Sequence, residues 1–348
     1  MRYPLDKSGN IVYNIRILYE NFHFNEIPNR QNTELSSEMT SVFIDGSAGT
    51  TGLRIRERLA ERRDISLLIL PDETRKDPTA RADALHRADI AFLCLPDAAA
   101  VEAVALAGDA DTCIIDTSTA HRCAQDAGWV YGFAELDGLR EQIASANRIA
   151  NPGCHASGFI ALIAPLVKTG LIQKDEMLSC FSLTGYSGGG KSMIAAYEAP
   201  DRDPLLSAPR QYGLTQQHKH LKEMKAMTGI ECLPLFCPIV ADFYSGMEVT
   251  VTLAKEQLAG NIDHVRDIYR AAYETGLVRY RDGADEGGFL SAAAFSGRDD
   301  MEISVFGNGD RILLCARYDN LGKGASGAAI QNMNIRMGAD ETTGLVTG

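Results

Sequence analysis

The sequence predicts an α/β protein with two parts: a Rossmann-type parallel-sheet domain, then an α+β catalytic and dimerisation domain with a broad mixed sheet. Three observations support this prediction. The chain has 348 residues, more than one hydrophobic core usually holds. Short apolar runs alternate with helical stretches in the first part of the chain. Longer strand-like runs dominate the remainder.

Residues 1–40 come before the first convincing strand and are predicted to be an N-terminal extension of unknown role. They are rich in Asn, Glu and Tyr and show no clear amphipathic period. A targeting role is not expected, because the segment carries several acidic residues that transit peptides avoid.

The segment 41–153 is predicted to be the Rossmann domain, completed by a C-terminal helix at 323–348. Apolar runs that alternate with helical spacing indicate right-handed βαβ units and therefore a parallel sheet. Strands are expected at 42–45, 65–70, 90–95 and 112–116, with helices at 52–62 and 98–107.

The segment 154–322 is predicted to be the catalytic and oligomerisation domain. It begins with a helix at 155–168, and helices interrupt the long strand-like runs that follow. A broad sheet of this kind can be covered by helices on one face and by a partner subunit on the other. Strands are expected at 177–184, 231–240, 246–254, 301–306 and 311–318, with helices near 214–227 and 261–275.

Composition argues against several classes of function. A formal charge of −12 disfavours a nucleic-acid partner, since such binding depends on basic groups. No stretch approaches the roughly 20 consecutive apolar residues that span a bilayer, so no membrane partner and a cytoplasmic location are expected. The eight cysteines are expected to be reduced thiols, and because no pair has C-x-x-C spacing, no metal site is predicted.

A glycine-rich turn follows the first predicted strand and opens a helix. Small residues let the backbone approach a pyrophosphate, and the N–H groups of a helix N-terminus bind its charge. The G-x-x-G-x-x-G spacing alone also fits a merely tight turn, but the flanking strand and helix favour a dinucleotide site. The turn comprises Gly46, Ser47, Ala48, Gly49, Thr50, Thr51 and Gly52.

The end of the second predicted strand leaves the choice between NAD and NADP open. Asp72 lies at this point, and an acidic side chain there favours the ribose hydroxyls of NAD. Arg75 and Lys76 follow closely, and cations there could hold the 2′-phosphate of NADP.

Cys154 stands where an apolar strand gives way to a helix, directly after Pro152 and Gly153. A thiol at a helix N-terminus is expected to have a lowered pKa, which makes Cys154 a candidate nucleophile. Among the eight cysteines only this one has such a setting, although a lone cysteine is often structural. His155 is expected to pack or cap, because adjacent helix residues point apart.

The polar stretch that begins near Gln216 contains His218, His220 and Glu223. Two histidines and a carboxylate could bind a metal, but His-x-His lacks the i,i+4 spacing of a helical zinc motif. The alternatives are a base that takes the thiol proton and is oriented by a carboxylate, or a solvated helix face.

Three further turns follow predicted strands. Ser118 and Arg122 lie after the fourth strand, at the carboxyl edge where open α/β sheets bind ligands. A guanidinium pairs with carboxylate or phosphate, so this turn is either an anion site or a surface loop. The glycine-rich turns at 185–191 and 319–327 each open a helix and are candidate anion or nicotinamide contacts.

From about residue 41 onward, these segments in their order resemble the short form of the N-acetyl-gamma-glutamyl-phosphate reductase family, a relative of aspartate-semialdehyde dehydrogenase. The resemblance implies NADPH-dependent reduction of an acyl phosphate to a semialdehyde through a Cys154 thioester, in arginine biosynthesis. It also implies a homodimer or homotetramer. The motifs that carry it lie at 45–53, 116–119, 129–136, 151–154, 186–191 and 319–325.

The resemblance also implies a role for individual residues. It makes His218 the base, supported by Glu223, and places Ser118, Arg122 and His220 in substrate binding. It implies NADP as the cofactor, held by the turn at 46–52, with Gly188, Gly189 and Asn320 near the nicotinamide.

Three other functions compete with this interpretation. A related acyl-phosphate reductase acting on another substrate is the main alternative. A Cys–His hydrolase would also use a helix-end thiol and a base, but it would not need the turn at 46–52. A nucleotide-sensing module without chemistry would have no reason to retain both Cys154 and His218.

Overall fold

The computed structural model describes residues 39–348. Residues 1–38 of the predicted extension therefore lie outside the described residues. Its last residue, Thr40, is the first residue of the first strand. The described residues form two sheets, one parallel and one mixed, with helices packed against both. None of the described helices is long and apolar enough to cross a membrane.

The first sheet has six parallel strands in the order β2-β1-β3-β4-β6-β5. Strand β1 pairs with β2 on one edge and with β3 on its other edge, so the strand order reverses at β1. A crevice therefore opens at the carboxyl ends of β1 and β3. The elements are β1 (Thr40–Asp45), α1 (Thr50–Leu59), β2 (Ile65–Leu68), α2 (Pro78–Arg87), β3 (Ile90–Leu93), α3 (Asp97–Ala107), β4 (Cys113–Asp116), β5 (Val130–Tyr131), α4 (Leu139–Ser145) and β6 (Arg148–Ala150).

The second sheet has seven strands in the order β11-β12-β13-β10-β7-β9-β8 and mixes parallel with antiparallel pairs. Its strands are β7 (Ser179–Gly185), β8 (Arg210–Gln211), β9 (Leu235–Ala241), β10 (Met247–Ala254), β11 (Val278–Tyr280), β12 (Met301–Gly307) and β13 (Arg311–Tyr318). The helices of this part are α5 (Cys154–Lys168), α6 (Gly190–Glu198), α7 (His220–Thr228) and α8 (Ile262–Ala272).

Helix α5 lies at the centre of the second core. It is buried along nearly its whole length, as expected for a helix that is apolar all round, and it packs on α7, β10 and β13. The opposite face of the sheet exposes Phe181, Leu235 and Leu313 from three different strands. One face of the mixed sheet is therefore covered by helices and the other is open.

The last helix, α9 (Gly327–Met337), packs its Ala329, Ile330 and Met333 into the core of the first sheet. The predicted span of 323–348 starts within helical structure but extends too far at its C-terminal end. Residues Gly322–Ser326 form a π-helical turn, and α9 stops before Gly338, whose φ of +68° suits glycine at a helix C-terminus.

Candidate active site

Cys154 is the first residue of α5, and Gly153 is the N-cap. The thiol lines a cleft of about 490 Å³ at the junction of the two sheets. The Tyr318 hydroxyl donates to Cys154 O and accepts from the Gly158 N–H, which fixes the first turn of α5. Gly324 packs behind the nucleophile, where a Cβ would lie 3.0 Å from Cys154 Cβ.

The expected lowering of the Cys154 pKa is not what the structure shows. Burial raises the pKa of the thiol, and this effect outweighs the opposing charge of Arg122 and the His155 backbone N–H. The sequence argument considered only the end of α5, whereas the packing around the thiol dominates. Cys154 is therefore protonated in the resting site and needs a base.

Glu223 lies on α7 and is almost fully buried beside the N-terminus of α5. It accepts hydrogen bonds from Arg122 Nη1 at 2.9 Å and from the Tyr131 hydroxyl at 2.9 Å. It also accepts from the Gly153 N–H at 3.1 Å. Among the described residues Glu223 makes no hydrogen bond to His218, because both carboxylate oxygens face Arg122, Tyr131 and the nucleophile's N-cap.

His218 lies in the segment before α7 and not inside a helix, which corrects the helix predicted at 214–227. Gln216 explains this difference, since its φ of +56° is incompatible with a helix that starts earlier. Its side-chain amide donates to Phe236 O at 2.7 Å and accepts from Phe236 N at 2.9 Å. This two-point contact fixes the segment that presents His218 to the cleft.

Three histidines lie together at the cleft. The ring of His218 lies 4.7 Å from that of His220 and 5.8 Å from that of His155. His155 hydrogen-bonds Ser182 at 2.6 Å and Tyr212 at 2.7 Å, and burial lowers its pKa to about 3. His155 therefore packs, as predicted. Burial also lowers the pKa of His218, so its imidazole is neutral near neutral pH and can accept a proton.

Ser118, Arg122 and His220 all line the same cleft as Cys154. The Ser118 hydroxyl donates to Asp116 Oδ2 at 2.7 Å, and the same carboxylate oxygen lies 2.6 Å from His121 Nδ1. The turn that carries Ser118 and Arg122 is thereby held in shape by a buried carboxylate. The described residues contain no group of acidic, histidine and cysteine side chains that could hold a metal ion.

The turn from Gly46 to Gly52 borders two hollows. Gly46 and Ser47 line one of about 210 Å³, and the residues from Gly49 to Gly52 line the cleft of Cys154. Gly46 has a φ of +84°, and a Cβ there would lie 2.9 Å from the Cys94 carbonyl carbon. Only glycine fits this close approach. An extended dinucleotide can therefore cross this turn from one hollow to the other.

The second glycine-rich turn contacts Asn320 in the cleft that Cys154 lines. The Asn320 side chain donates to Ser187 Oγ at 3.0 Å and accepts from the Gly246 N–H at 2.9 Å. Gly188, Gly189 and Asn320 line the cleft together with Cys154. The structure therefore brings the predicted nicotinamide contacts beside the predicted nucleophile.

Comparisons with known proteins match the whole of this architecture. Residues 66–146 match the family model described as semialdehyde dehydrogenase, NAD binding domain, and 154–320 match the semialdehyde dehydrogenase, dimerisation domain. An N-acetyl-gamma-glutamyl-phosphate reductase of Chelativorans sp. is 45% identical over 309 residues, which cover 85% of this chain and 97% of the relative. N-acetyl-gamma-glutamyl-phosphate reductase 2 of Nostoc sp. is 43% identical over 319 residues, which cover 87% of this chain and 98% of that relative.

The chain belongs to the N-acetyl-gamma-glutamyl-phosphate reductase family. Among solved structures, aspartate semialdehyde dehydrogenase II of Vibrio cholerae, complexed with ASA, has a TM-score of 0.66 at 18% identity. That match covers 86% of this chain and 98% of the other, and it shows the shared fold. The predicted family and fold class are confirmed. A nicotinamide-binding domain and a dimerisation domain are both present.

Sequence reasoning missed several polar residues of this family member's site. Tyr131 lies in the block at 129–136 that carries the resemblance, but no local pattern assigns its hydroxyl a role. Tyr212 lies outside every predicted strand and helix, and Gln216 falls in the predicted helix at 214–227 although the structure places it in an irregular segment. Their roles follow from contacts with residues that are distant in the chain.

Proposed function

We propose that the protein reduces N-acetyl-gamma-glutamyl phosphate to N-acetylglutamate semialdehyde and inorganic phosphate, with NADPH, in cytoplasmic arginine synthesis. The observation that carries the proposal is the single cleft shared by Cys154, His218 and the two glycine-rich turns. Relatives that bear the reductase name match this chain over nearly their whole length, which supports the same substrate.

Cys154 is the nucleophile of the first step. Its sulfur forms a bond to the carbonyl carbon of the acyl phosphate, the bond from that carbon to the phosphate oxygen breaks, and phosphate leaves with the electron pair. Because burial raises the pKa of Cys154, the attack requires a base. His218, whose pKa is lowered by burial, accepts the thiol proton.

The second step releases the aldehyde. When bound, the nicotinamide cofactor supplies a hydride. That hydride would reduce the thioester carbonyl carbon, whose bond to the Cys154 sulfur would break, and the thiolate would recover the proton held by His218. Glu223 acts here as a positioning residue, since it holds Arg122 and the Gly153 N–H rather than the base.

The residues present fit a nicotinamide dinucleotide. The turn from Gly46 to Gly52 would hold its pyrophosphate, and Gly188, Gly189 and Asn320 would border its nicotinamide. NADP is favoured because Arg75 and Lys76 line the hollow at the adenosine end. The competing acid, Asp72, is turned outward with 91% of its side chain exposed and pairs with Arg75 at 3.0 Å.

The substrate side of the cleft is formed by Ser118, Arg122 and His220, next to Cys154. Arg122 keeps N–H donors beyond those bound to Glu223, Asn151 and Thr117, and these would bind an anionic group of the substrate. We also infer that the protein forms a homodimer or homotetramer through the open face of the mixed sheet. Apolar side chains of β7, β9 and β13 are exposed together on that face.

The reverse reaction tests the proposal directly. N-acetylglutamate semialdehyde, phosphate and NADP should give NADPH, and aspartate semialdehyde should react far less efficiently. A preference for aspartate semialdehyde would instead support a related acyl-phosphate reductase with another substrate.

Substitutions test the assignment of the thiol and the base. Cys154→Ser should abolish the reaction and leave NADP binding nearly intact, because a hydroxyl is much less nucleophilic than a thiolate. His218→Asn should slow acylation by about 10²–10⁴-fold. Mass spectrometry of wild type with acyl phosphate and no cofactor should find the acyl adduct on Cys154. An adduct on a different cysteine would refute the mechanism.

A further inference from the structure

A lysine in the cleft takes no part in the steps described above. Lys219 is exposed and lines the cleft beside Cys154 and His218. Its ammonium makes no ion pair and no side-chain hydrogen bond with any residue from 39 to 348. Within that range, Lys219 and Arg122 are the two permanent cations of the cleft lining.

Arg122 is largely committed to the protein itself. Its Nη1 donates to Glu223 Oε1 at 2.9 Å, and this buried carboxylate neutralises its charge. Its Nε donates to Asn151 O at 2.9 Å, and its Nη2 donates to Thr117 O at 3.0 Å. The substrate of the proposed reaction carries both a carboxylate and a phosphate. One neutralised guanidinium cannot balance both groups in a partly buried cleft.

We propose that Lys219 binds the phosphate group of the acyl phosphate and stabilises it as it leaves. This inference rests on the proposed function and adds a residue for its first step. A lysine ammonium is a compact charge with several N–H donors, and charge-assisted hydrogen bonds to phosphate are among the strongest in proteins.

The position of Lys219 favours the phosphate over the substrate carboxylate. Phosphate leaves from the carbon that Cys154 attacks, so its binding group must lie close to the thiol. Lys219 lines the same cleft as Cys154, and it follows His218, the proposed base of the first step, directly in the chain.

The neighbouring carboxylate, Asp97, forms no ion pair with Lys219 among the described residues. Asp97 also lines the cleft, but its Oδ1 accepts from the Thr119 N–H at 2.9 Å and its Oδ2 accepts from the Thr119 hydroxyl. The charge of Lys219 contributes to the lowered pKa of Asp97, but without an ion pair the ammonium keeps its N–H donors for an anion.

The test is the reverse reaction with varied inorganic phosphate. Lys219→Met should raise the KM for phosphate by about 10- to 100-fold, as expected for the loss of one charge-assisted hydrogen bond. The KM for the semialdehyde and the affinity for NADP should change little. Lys219→Arg keeps the charge and should recover much of the phosphate affinity. Lys222→Met is the matched control, since Lys222 is an exposed lysine of α7 that does not line the cleft.

The outcomes separate this inference from the proposed function. If wild type forms no NADPH from N-acetylglutamate semialdehyde and phosphate, the proposed function fails before any variant is measured. If wild type is active and Lys219→Met keeps the wild-type KM for phosphate, the assignment of Lys219 is wrong. A rise confined to the KM for the semialdehyde would also overturn it, because Lys219 would then bind the carboxylate.

Discussion

Replacing Gly153 with alanine tests how closely the charged cluster packs against the nucleophile. Gly153 has φ −80° and ψ 145°, an extended conformation that any residue adopts. The substitution therefore introduces no backbone strain. Its effect must come from the space that the new methyl group occupies.

That space is already filled by three polar groups. A Cβ at Gly153 would lie 2.7 Å from His220 Nε2, and it would also overlap Arg122 Nη1 and Glu223 Oε1. Ordinary contact begins at 3.4 Å, so the histidine alone must retreat by about 0.7 Å. Overpacking of this kind costs about 1–3 kcal/mol, and a misplacement near 1 Å in a catalytic site costs about 10²-fold in rate.

The expected result for Gly153→Ala is a fall in kcat/KM of about 100-fold with NADP affinity close to wild type. Steady-state kinetics in the reverse direction and a cofactor titration measure both quantities. Gly309→Ala is the control, because Gly309 lies in the turn between β12 and β13 with no atom within 4 Å of the new Cβ. A Gly153→Ala enzyme with wild-type kcat/KM would refute the argument that this cluster is tightly packed.

Three further predictions follow from the site and the chain. Burial lowers the pKa of His218 from 6.5, so kcat/KM for acylation should stay constant above pH 6.5 and fall at lower pH, where the imidazole is protonated. His218→Asn should remove this fall at acid pH. A fall centred above pH 6.5 would contradict the assignment. NADPH should be preferred to NADH, and replacing Arg75 and Lys76 with alanine should reduce the ratio of their specificity constants about 10-fold or more; equal wild-type efficiencies would show otherwise. A chain that begins at Met39 should keep its melting temperature and turnover, because the residues before it show no clear amphipathic period and contribute no motif; a large loss of either would show that the preceding residues contribute.

Features with a local cause were predictable from the sequence. The alternation of apolar runs gave β1, β3 and β4 within a few residues, because fully buried parallel strands consist of apolar side chains. The turn at 46–52 and the start of α5 at Cys154 were also predictable, since glycine spacing and a strand-to-helix junction are local patterns.

Several short elements gave no usable signal. Helices α2 and α4, and strands β5, β8 and β11, are missing from the sequence-based predictions, although α2 has ten residues. Strand β8 has only two residues and α4 has seven, which is too short for a period to emerge. The onset of α7 was placed too early because the left-handed conformation of Gln216 depends on its contacts with Phe236 in β9.

The partners of Glu223 show most clearly what sequence reasoning cannot supply. Tyr131, Arg122 and Gly153 lie 92, 101 and 70 positions away along the chain, and no spacing rule relates them to α7. The i,i+3 separation of His220 and Glu223 does suggest contact, and His220 Nε2 lies 3.8 Å from Glu223 Oε1, whereas Arg122 Nη1 lies 2.9 Å from the same oxygen. Tertiary packing instead turned the carboxylate toward Arg122.

The same packing determines how the thiol is activated. Burial raises the pKa of Cys154 and lowers the pKa of His218, so both shifts favour a neutral thiol beside a neutral imidazole over a thiolate–imidazolium pair. Charge separation at rest would cost free energy at these partly buried groups. Bond formation from sulfur to carbon removes the negative charge from sulfur and transfers it to the departing phosphate. The site therefore needs its positive charge where phosphate leaves, and the end of α5 alone cannot meet that need.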